Sequence, residues 1–273
     1  MSGAEDSRAN GADPTRTVAL VTGASAGIGE EFAEQLAKKG HDLIVVARSA
    51  DRLETLAARL RTANRIAVDV LPADLTKPED LRSVERRIEG LPRLDLLVNN
   101  AGFGTMGRFA TLDADQEEAE IRLNVVALVR LTRAALPAML RHDRGAVINV
   151  SSLAGFQAGP FNATYAATKA YVTSFTESLG EELRGTRLRV QALCPGFTRT
   201  EFQDRAGIDV SDLPDLAWMS AASVVESSLA ALDRGELVHV PGVTNRLVAG
   251  LVRVTPRTVL RRIVGSTMRT RVG

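Results

Sequence analysis

Residues 17–29 read TVALVTGASAGIG. An unbroken apolar, β-branched run passes through Gly23, Gly27 and Gly29, spaced G-x-x-x-G-x-G, into a segment from Gly27 to Lys39 whose apolar residues recur every three or four positions. A run that is apolar throughout marks a strand buried on both faces, and the recurrence marks a helix. Glycines let a backbone turn tightly and come close to a ligand. The N-terminus of the next helix offers free N–H donors and the positive end of a dipole. A strand, glycine turn and helix in this order are what an anionic pyrophosphate needs.

The same alternation continues outward. Strands are predicted at Thr17–Thr22, Asp42–Ala47, Ala67–Leu71, Leu94–Val98, Ala146–Val150, Leu188–Leu193 and Glu236–Val240. Helical periodicity fills Gly27–Lys39, Ala50–Arg61, Pro78–Glu89, Gln116–Leu140, Asn162–Leu183 and Ala222–Asp233. Buried strands alternating with helices pair in parallel, which predicts an α/β, doubly wound, three-layer fold around a seven-stranded parallel sheet. The expected organisation is a flexible tail over residues 1–15 and one domain over 16–273. Within that domain, 196–220 is expected to be a substrate lid and 241–273 a basic amphipathic extension.

Composition narrows the function. With 34 basic and 33 acidic residues the formal charge is +1, so no global field points to nucleic acid. The one cysteine, Cys194, has no partner for an internal disulfide, and His41, His142 and His239 lie far apart without metal spacing. No metal is expected. Met1 to Thr15 lacks the apolar core of a secretory signal, and no uninterrupted apolar run reaches the roughly 20 residues of a membrane span. The expectation is a cytoplasmic chain.

The second strand ends Val45-Val46-Ala47-Arg48. A carboxylate there would bind adenosine ribose hydroxyls and repel a 2′-phosphate, whereas arginine offers that phosphate charge and a forked donor. Arg48 therefore favours NADP(H) over NAD(H), with Ser25 and Arg52 as helpers. Asp74 and Leu75 follow the third strand, where adenine would lie, and Asn99-Asn100-Ala101-Gly102 follow the fourth.

Tyr165 and Lys169 stand four apart in a predicted helix and so share a face. A lysine ammonium at roughly 4 Å and an effective dielectric near 20 contributes about 4 kcal/mol. That is enough to bring a phenol from its reference pKa of about 10 toward neutrality, where acid–base exchange is efficient.

TGASAGIG, NNAG at 99–102, Asn124, INVSS at 148–152, YAATK at 165–169 and PG at 195–196 occur in one order. In this the chain resembles the short-chain dehydrogenase/reductase superfamily, in its single-domain branch, over nearly everything from Thr17 to Val240. The resemblance implies a Rossmann-type fold and a catalytic set of Asn124, Ser152, Tyr165 and Lys169. Ser152, thirteen residues before Tyr165, would polarise a substrate carbonyl. Tyr165 would give or take the proton, Lys169 would lower its pKa and bind the nicotinamide ribose, and Asn124 would hold a helix irregularity and a water relay. Gly23, Ser25, Ala26, Gly27, Ile28, Gly29, Arg48, Asp74, Leu75, Asn100, Ala101 and Gly102 would line the cofactor. Pro195 and Gly196 would pass the nicotinamide, and either Thr198 or Thr200 would meet its carboxamide. Ala26 departs from the basic residue that many NADP-preferring relatives place there.

Phe103, Met106, Phe156, Phe161, Phe197, Phe202, Trp218 and Met219 lie in or beside the loops expected to choose the substrate. They suggest an apolar carbonyl or alcohol of acyl, lipid or steroid type, with Arg108 and Arg199 offering an anionic alternative. After Glu236 there are seven arginines and no acidic residue, with apolar residues at helical spacing on either side of Pro256. This segment would pack on the domain or a second subunit, cover the substrate entrance, or rest weakly on an anionic membrane surface. The resemblance implies a homodimer or homotetramer formed through the two long helices. The competing reading is a catalytically silent NADP(H)-binding regulator or scaffold on the same fold.

Overall fold

The computed structural model describes residues 16–205, 214–256, 258–262, 264 and 265. The expected tail over 1–15, the middle of the lid over 206–213 and the end of the C-terminal segment over 266–273 lie outside them. Chain order is β1 (Val18–Thr22), α1 (Gly27–Lys38), β2 (Asp42–Ala47), α2 (Ala50–Asn64), β3 (Val68–Pro72), α3 (Pro78–Glu89) and β4 (Leu96–Asn99). Then follow α4 (Ala114–Ile121), a π-helical turn (Arg122–Ala127), α5 (Leu128–His142), β5 (Ala146–Val150), α6 (Ala163–Glu182) and β6 (Arg189–Leu193). The chain continues through β7 (Thr198–Arg199), α7 (Phe202–Arg205), β8 (Met219–Ser220), α8 (Ala221–Asp233), β9 (Val238–His239) and α9 (Val243–Val254).

Seven strands form one parallel sheet in the order β3-β2-β1-β4-β5-β6-β9. Its strands bury both faces because alternate residues feed different layers. Ala19 and Val21 of β1 pack with Phe32, Leu36, Leu53 and Leu229 from α1, α2 and α8. Leu20 packs with Val84, Ile88, Leu131, Met139 and Leu179 from α3, α5 and α6. Each such large side chain, fully buried, contributes about 1.5–3 kcal/mol, so two complete layers explain why strands and helices were legible as apolar patterns.

The chain runs outward from β1 through β2 to β3, then crosses back to β4 on the other side of β1. At that reversal the carboxyl ends of the strands open a crevice, and the glycine turn, Arg48, Asp74, the NNAG segment and Ser152 all follow strands there. Inside the sheet a polar ladder ties neighbours together: Asn99 Nδ2 donates to Asn149 Oδ1 at 2.9 Å and to Thr132 Oγ1 at 3.0 Å, and Asn149 Nδ2 donates to Thr176 Oγ1 at 3.0 Å.

The helix expected over Gln116–Leu140 starts at Ala114, where Asp113 caps it by accepting the Asp115 N–H at 2.9 Å, and is split by the π turn. Residues 114–142 are also long and apolar enough in composition to cross a membrane, which the search for uninterrupted apolar runs passed over. Half of that apolar window is buried in the fold. The C-terminal segment forms α9, and residues 258–262, 264 and 265 beyond Pro256 are helical too.

Candidate active site

A cavity of about 970 Å³ occupies the crevice and is lined by all of the expected site residues except Gly29 and Asn124. At its base the turn after β1 places Gly23 at φ +66° and Gly27 at φ +59°, in the left-handed region that favours glycine. Asn100 holds this turn from β4. Its side-chain amide donates to the carbonyls of Thr22 (2.9 Å) and Gly23 (3.3 Å), while Thr22 Oγ1 accepts the N–H groups of Asn100 and Ala101, both at 3.0 Å. Gly29 lies behind the turn, where a Cβ would come within 3.0 Å of the Gly23 carbonyl. Ala26, the N-cap of α1, supplies no side-chain acceptor to the first-turn N–H groups. The cradle therefore fits a pyrophosphate.

Arg48 is exposed on the cavity rim immediately after Ala47. Arg52 reaches across from α2 to Glu201 in the lid at 3.1 Å. Asp74 Oδ1 accepts the Thr76 N–H at 3.1 Å and its hydroxyl at 2.7 Å, shaping the wall beside buried Leu75. Of the two threonines, Thr198 is buried and donates its hydroxyl back to the Gly196 carbonyl at 3.1 Å. Thr200 packs against Gly27, where a Cβ would touch its methyl at 2.9 Å.

At the centre, Ser152 follows β5 and lines the cavity beside Tyr165, while its Oγ accepts the Ala154 N–H at 3.1 Å. Ser151 points the other way and locks α6 by donating to the Lys169 carbonyl at 2.8 Å. Lys169, 5% exposed, donates to the Val150 carbonyl at 2.8 Å, and its Nζ lies 5.6 Å from the centre of the Tyr165 ring. Asn124 sits in the π turn, donating to the carbonyl of Phe103 (2.8 Å) and to Thr168 Oγ1 (3.1 Å) and accepting the Phe103 N–H (3.1 Å). The structure thus brings the four expected catalytic residues together.

One electrostatic expectation is corrected. Burial pushes Tyr165 up to about 12, with Ser152 opposing and the charge of Glu120 adding to the rise. Burial also brings Lys169 down to about 8, opposed by Glu120. The expected lysine-driven drop of the phenol toward neutrality is absent, because both groups lose water and the ammonium is directed to a backbone carbonyl.

Sequence reasoning missed Glu117, Glu120 and Asn245. Glu117 and Glu120 are buried beneath the loop after β4, both against Thr105. Asn245 of α9 packs on Gly196, and Val248, Ala249 and Val252 of the same helix complete the cavity wall. The outer end of the cavity is apolar, with Phe103, Met106, Leu153, Phe156, Phe197 and Phe202 among its lining. Trp218, Phe161, Met219, Arg108 and Arg199 are not part of that lining among the described residues. Trp218 instead packs on Phe197 at 5.7 Å and beneath Arg199, which pairs with Asp215 at 2.5 Å. β7 and β8 pair to close this end of the lid.

Glycine cradle, crevice and polar centre define a nucleotide-binding α/β oxidoreductase. Residues 17–210 match the family described as short chain dehydrogenase. An uncharacterized oxidoreductase of Staphylococcus epidermidis is 32% identical over 232 residues, covering 85% of this chain and 97% of that one. A solved short-chain dehydrogenase from Sphingobium yanoikuyae in complex with NADPH is 41% identical with a TM-score of 0.80, covering 88% of this chain and 97% of the other. The bulky-bulky ketone specific alcohol dehydrogenase of Comamonas testosteroni is 33% identical with a TM-score of 0.76, over 88% and 95% of the two chains. The chain belongs to the short-chain dehydrogenase/reductase family.

Proposed function

We propose that this chain is an NADP(H)-dependent oxidoreductase that interconverts a ketone or aldehyde with a secondary or primary alcohol, using Tyr165 as general acid and base. The observation that carries the reading is that Ser152, Tyr165 and Lys169 line one cavity together with the glycine cradle and with Phe103, Phe156 and Phe202. The nicotinamide supplies or accepts the hydride when bound. Ser152 holds the substrate oxygen in hydrogen-bond reach of the phenol, and Tyr165 gives that oxygen a proton in reduction or removes one in oxidation. Lys169 keeps a positive charge near the phenol and offers donors to a ribose. Phe103, Phe156 and Phe202 exclude water and favour an apolar substrate of acyl, lipid or steroid type.

Arg48 supports NADP(H), as does the NADPH bound to the Sphingobium relative. Arg52 is engaged by Glu201, so the preference rests chiefly on Arg48. Tyr165→Phe tests the chemistry: the variant is expected to bind NADPH as the wild type does and to lose turnover on a panel of apolar ketones. Wild-type turnover in that variant would refute the mechanism, and no turnover of any carbonyl or alcohol by the wild type would favour a silent regulator.

The apolar residues left exposed on the long helices, Ile121, Val126, Leu140 and Tyr171, support assembly of copies through these helices, which sedimentation equilibrium would measure. On α9, Leu247 (70% exposed), Leu251 and Val254 form an outward apolar stripe flanked by Arg246 and Arg253. That face fits weak peripheral contact with an anionic membrane, and the single buried cysteine fits a reducing, cytoplasmic setting.

A further inference from the structure

We propose that Glu120 is the proton store of the catalytic centre, a buried carboxyl that exchanges its proton with Lys169. The inference rests on the role given above to Tyr165. Glu120 is 0% exposed, on the inner face of α4 one turn before Asn124. Burying a carboxylate costs several kcal/mol unless partners satisfy it, and here the partners leave one oxygen over. Thr105 Oγ1 lies 2.5 Å from Glu117 Oε1 and 3.0 Å from Glu120 Oε2. A hydroxyl carries one proton. It donates to one carboxyl only, so the contact with the other is made when that carboxyl carries a proton of its own.

The remaining bonds say which carboxyl it is. Glu117 also accepts the Thr164 hydroxyl, so two hydroxyl donors are directed at it. Glu120 accepts the Thr105 N–H at 3.0 Å, while its Oε1 is buried without a hydrogen-bond partner. Glu120 is the group left holding the proton. Burial raises its pKa to about 7, with Glu117 adding and Lys169 and the Thr105 N–H opposing.

Position makes this proton useful. The titratable groups coupled to Glu120 through charge are Glu117 from its own helix and Tyr165 and Lys169 from α6. Asn124 Oδ1 and Lys169 Nζ meet over Gly102, at 2.9 and 3.5 Å from where its Cβ would be, so the π turn that continues α4 meets α6 at one spot. In carbonyl reduction the Tyr165 O–H bond breaks and its proton passes to the substrate oxygen, leaving a phenolate. The phenolate takes a proton from the Lys169 ammonium, and the resulting amine takes one from the Glu120 carboxyl. Glu120, now a carboxylate, regains a proton from solvent before the next turnover. Alcohol oxidation runs the same transfers backwards, and the only net exchange is one solvent proton.

Glu120→Gln keeps the shape and cannot exchange the proton. The first measurement needs no turnover: infrared difference spectra of wild type minus Glu120→Gln, taken across neutral pH, are expected to show a carboxylic C=O band that disappears as pH rises. The second is kinetic. The variant is expected to lose roughly tenfold or more in kcat, with KM unchanged, a larger solvent isotope effect and loss of the wild-type inflection near neutrality. Thr105→Val removes the oxygen that receives the Glu120 proton, so the band is expected to titrate at lower pH than in the wild type, which keeps the test open if Glu120→Gln does not fold. Absence of the band, an unmoved midpoint in Thr105→Val, or wild-type kcat and pH profile in Glu120→Gln would each overturn the proposal. If Glu120→Gln is unaltered while Tyr165→Phe is inactive, the store alone fails. If Tyr165→Phe turns over normally, the assignment of Tyr165 fails and the store fails with it.

Discussion

Replacing Gly29 with alanine tests the cradle directly. The new methyl would come within 3.0 Å of the Gly23 carbonyl oxygen and 2.8 Å from its carbon, so the obstacle is backbone, which has no flexible end to swing aside. Overpacking of this kind costs about 1–3 kcal/mol. Moving the Gly23 carbonyl also disturbs the bonds that Asn100 makes to the turn, at about 1 kcal/mol. The total of about 2–4 kcal/mol corresponds to roughly 30- to 1000-fold in an equilibrium constant. It is divided between a turn that stays in place and strains the fold and a turn that opens and loses the pyrophosphate. Thermal unfolding without ligand reads the first share, at about 2–4 °C per kcal/mol for a chain of this size. Calorimetric titration with NADPH reads the second. Gly250→Ala is the control, because a Cβ there meets nothing within 4 Å and the position is interior to α9; it is expected to stabilise by about 0.5–1 kcal/mol. A Gly29→Ala protein with Tm within about a degree and NADPH affinity within about twofold of wild type would refute the reasoning.

Ala47→Asp with Arg48→Leu is expected to lower kcat/KM for NADPH by roughly 10- to 100-fold, the worth of one charge-assisted phosphate bond, and to raise it for NADH; an unshifted ratio would show that the selector lies elsewhere. For pH, Glu120 has a folded pKa of about 7 against an ordinary 4.5. Its stabilising contribution is therefore full below its unfolded value and lost as pH rises through 7. The Tm of Glu120→Gln relative to wild type is expected to climb across that window, and a constant difference would contradict the assignment. Leu247→Glu with Leu251→Glu is expected to abolish flotation with anionic liposomes, whereas flotation equal to that of the wild type would remove the membrane contact.

Much of the fold was legible because burial on both faces writes apolar runs, as in VALVT, and because the phosphate turn needs glycine at fixed places. Tyr165 and Lys169 were legible through helical spacing, and Ser152 and Asn124 through family order. Glu117 and Glu120 were not, since DADQEEAE reads as the solvated start of a helix; the available signal was that Glu120 lies four residues before Asn124 and so shares its face. Asn245 escaped notice because its role depends on α9 folding back onto Gly196, a contact 49 residues away in sequence. The height of the Tyr165 pKa was misjudged from spacing alone, because a pairwise charge was counted and the loss of water by both partners was not.

The π turn at Arg122–Ala127 works as a phase shifter. Upstream of it the helical run aims Glu117 and Glu120 at proton chemistry; downstream it aims Leu131, Ala135 and Met139 at the sheet. A single α-helical period would keep those two sets of side chains in one fixed angular relation. The extra residue accommodated in a π turn adds roughly 100° of azimuth, letting the same rod serve two faces. Insertions and deletions here should therefore be counted in degrees: removing one residue restores the uniform period and swings the acidic half away from Lys169, even though every side chain of the catalytic set outside the turn is still encoded.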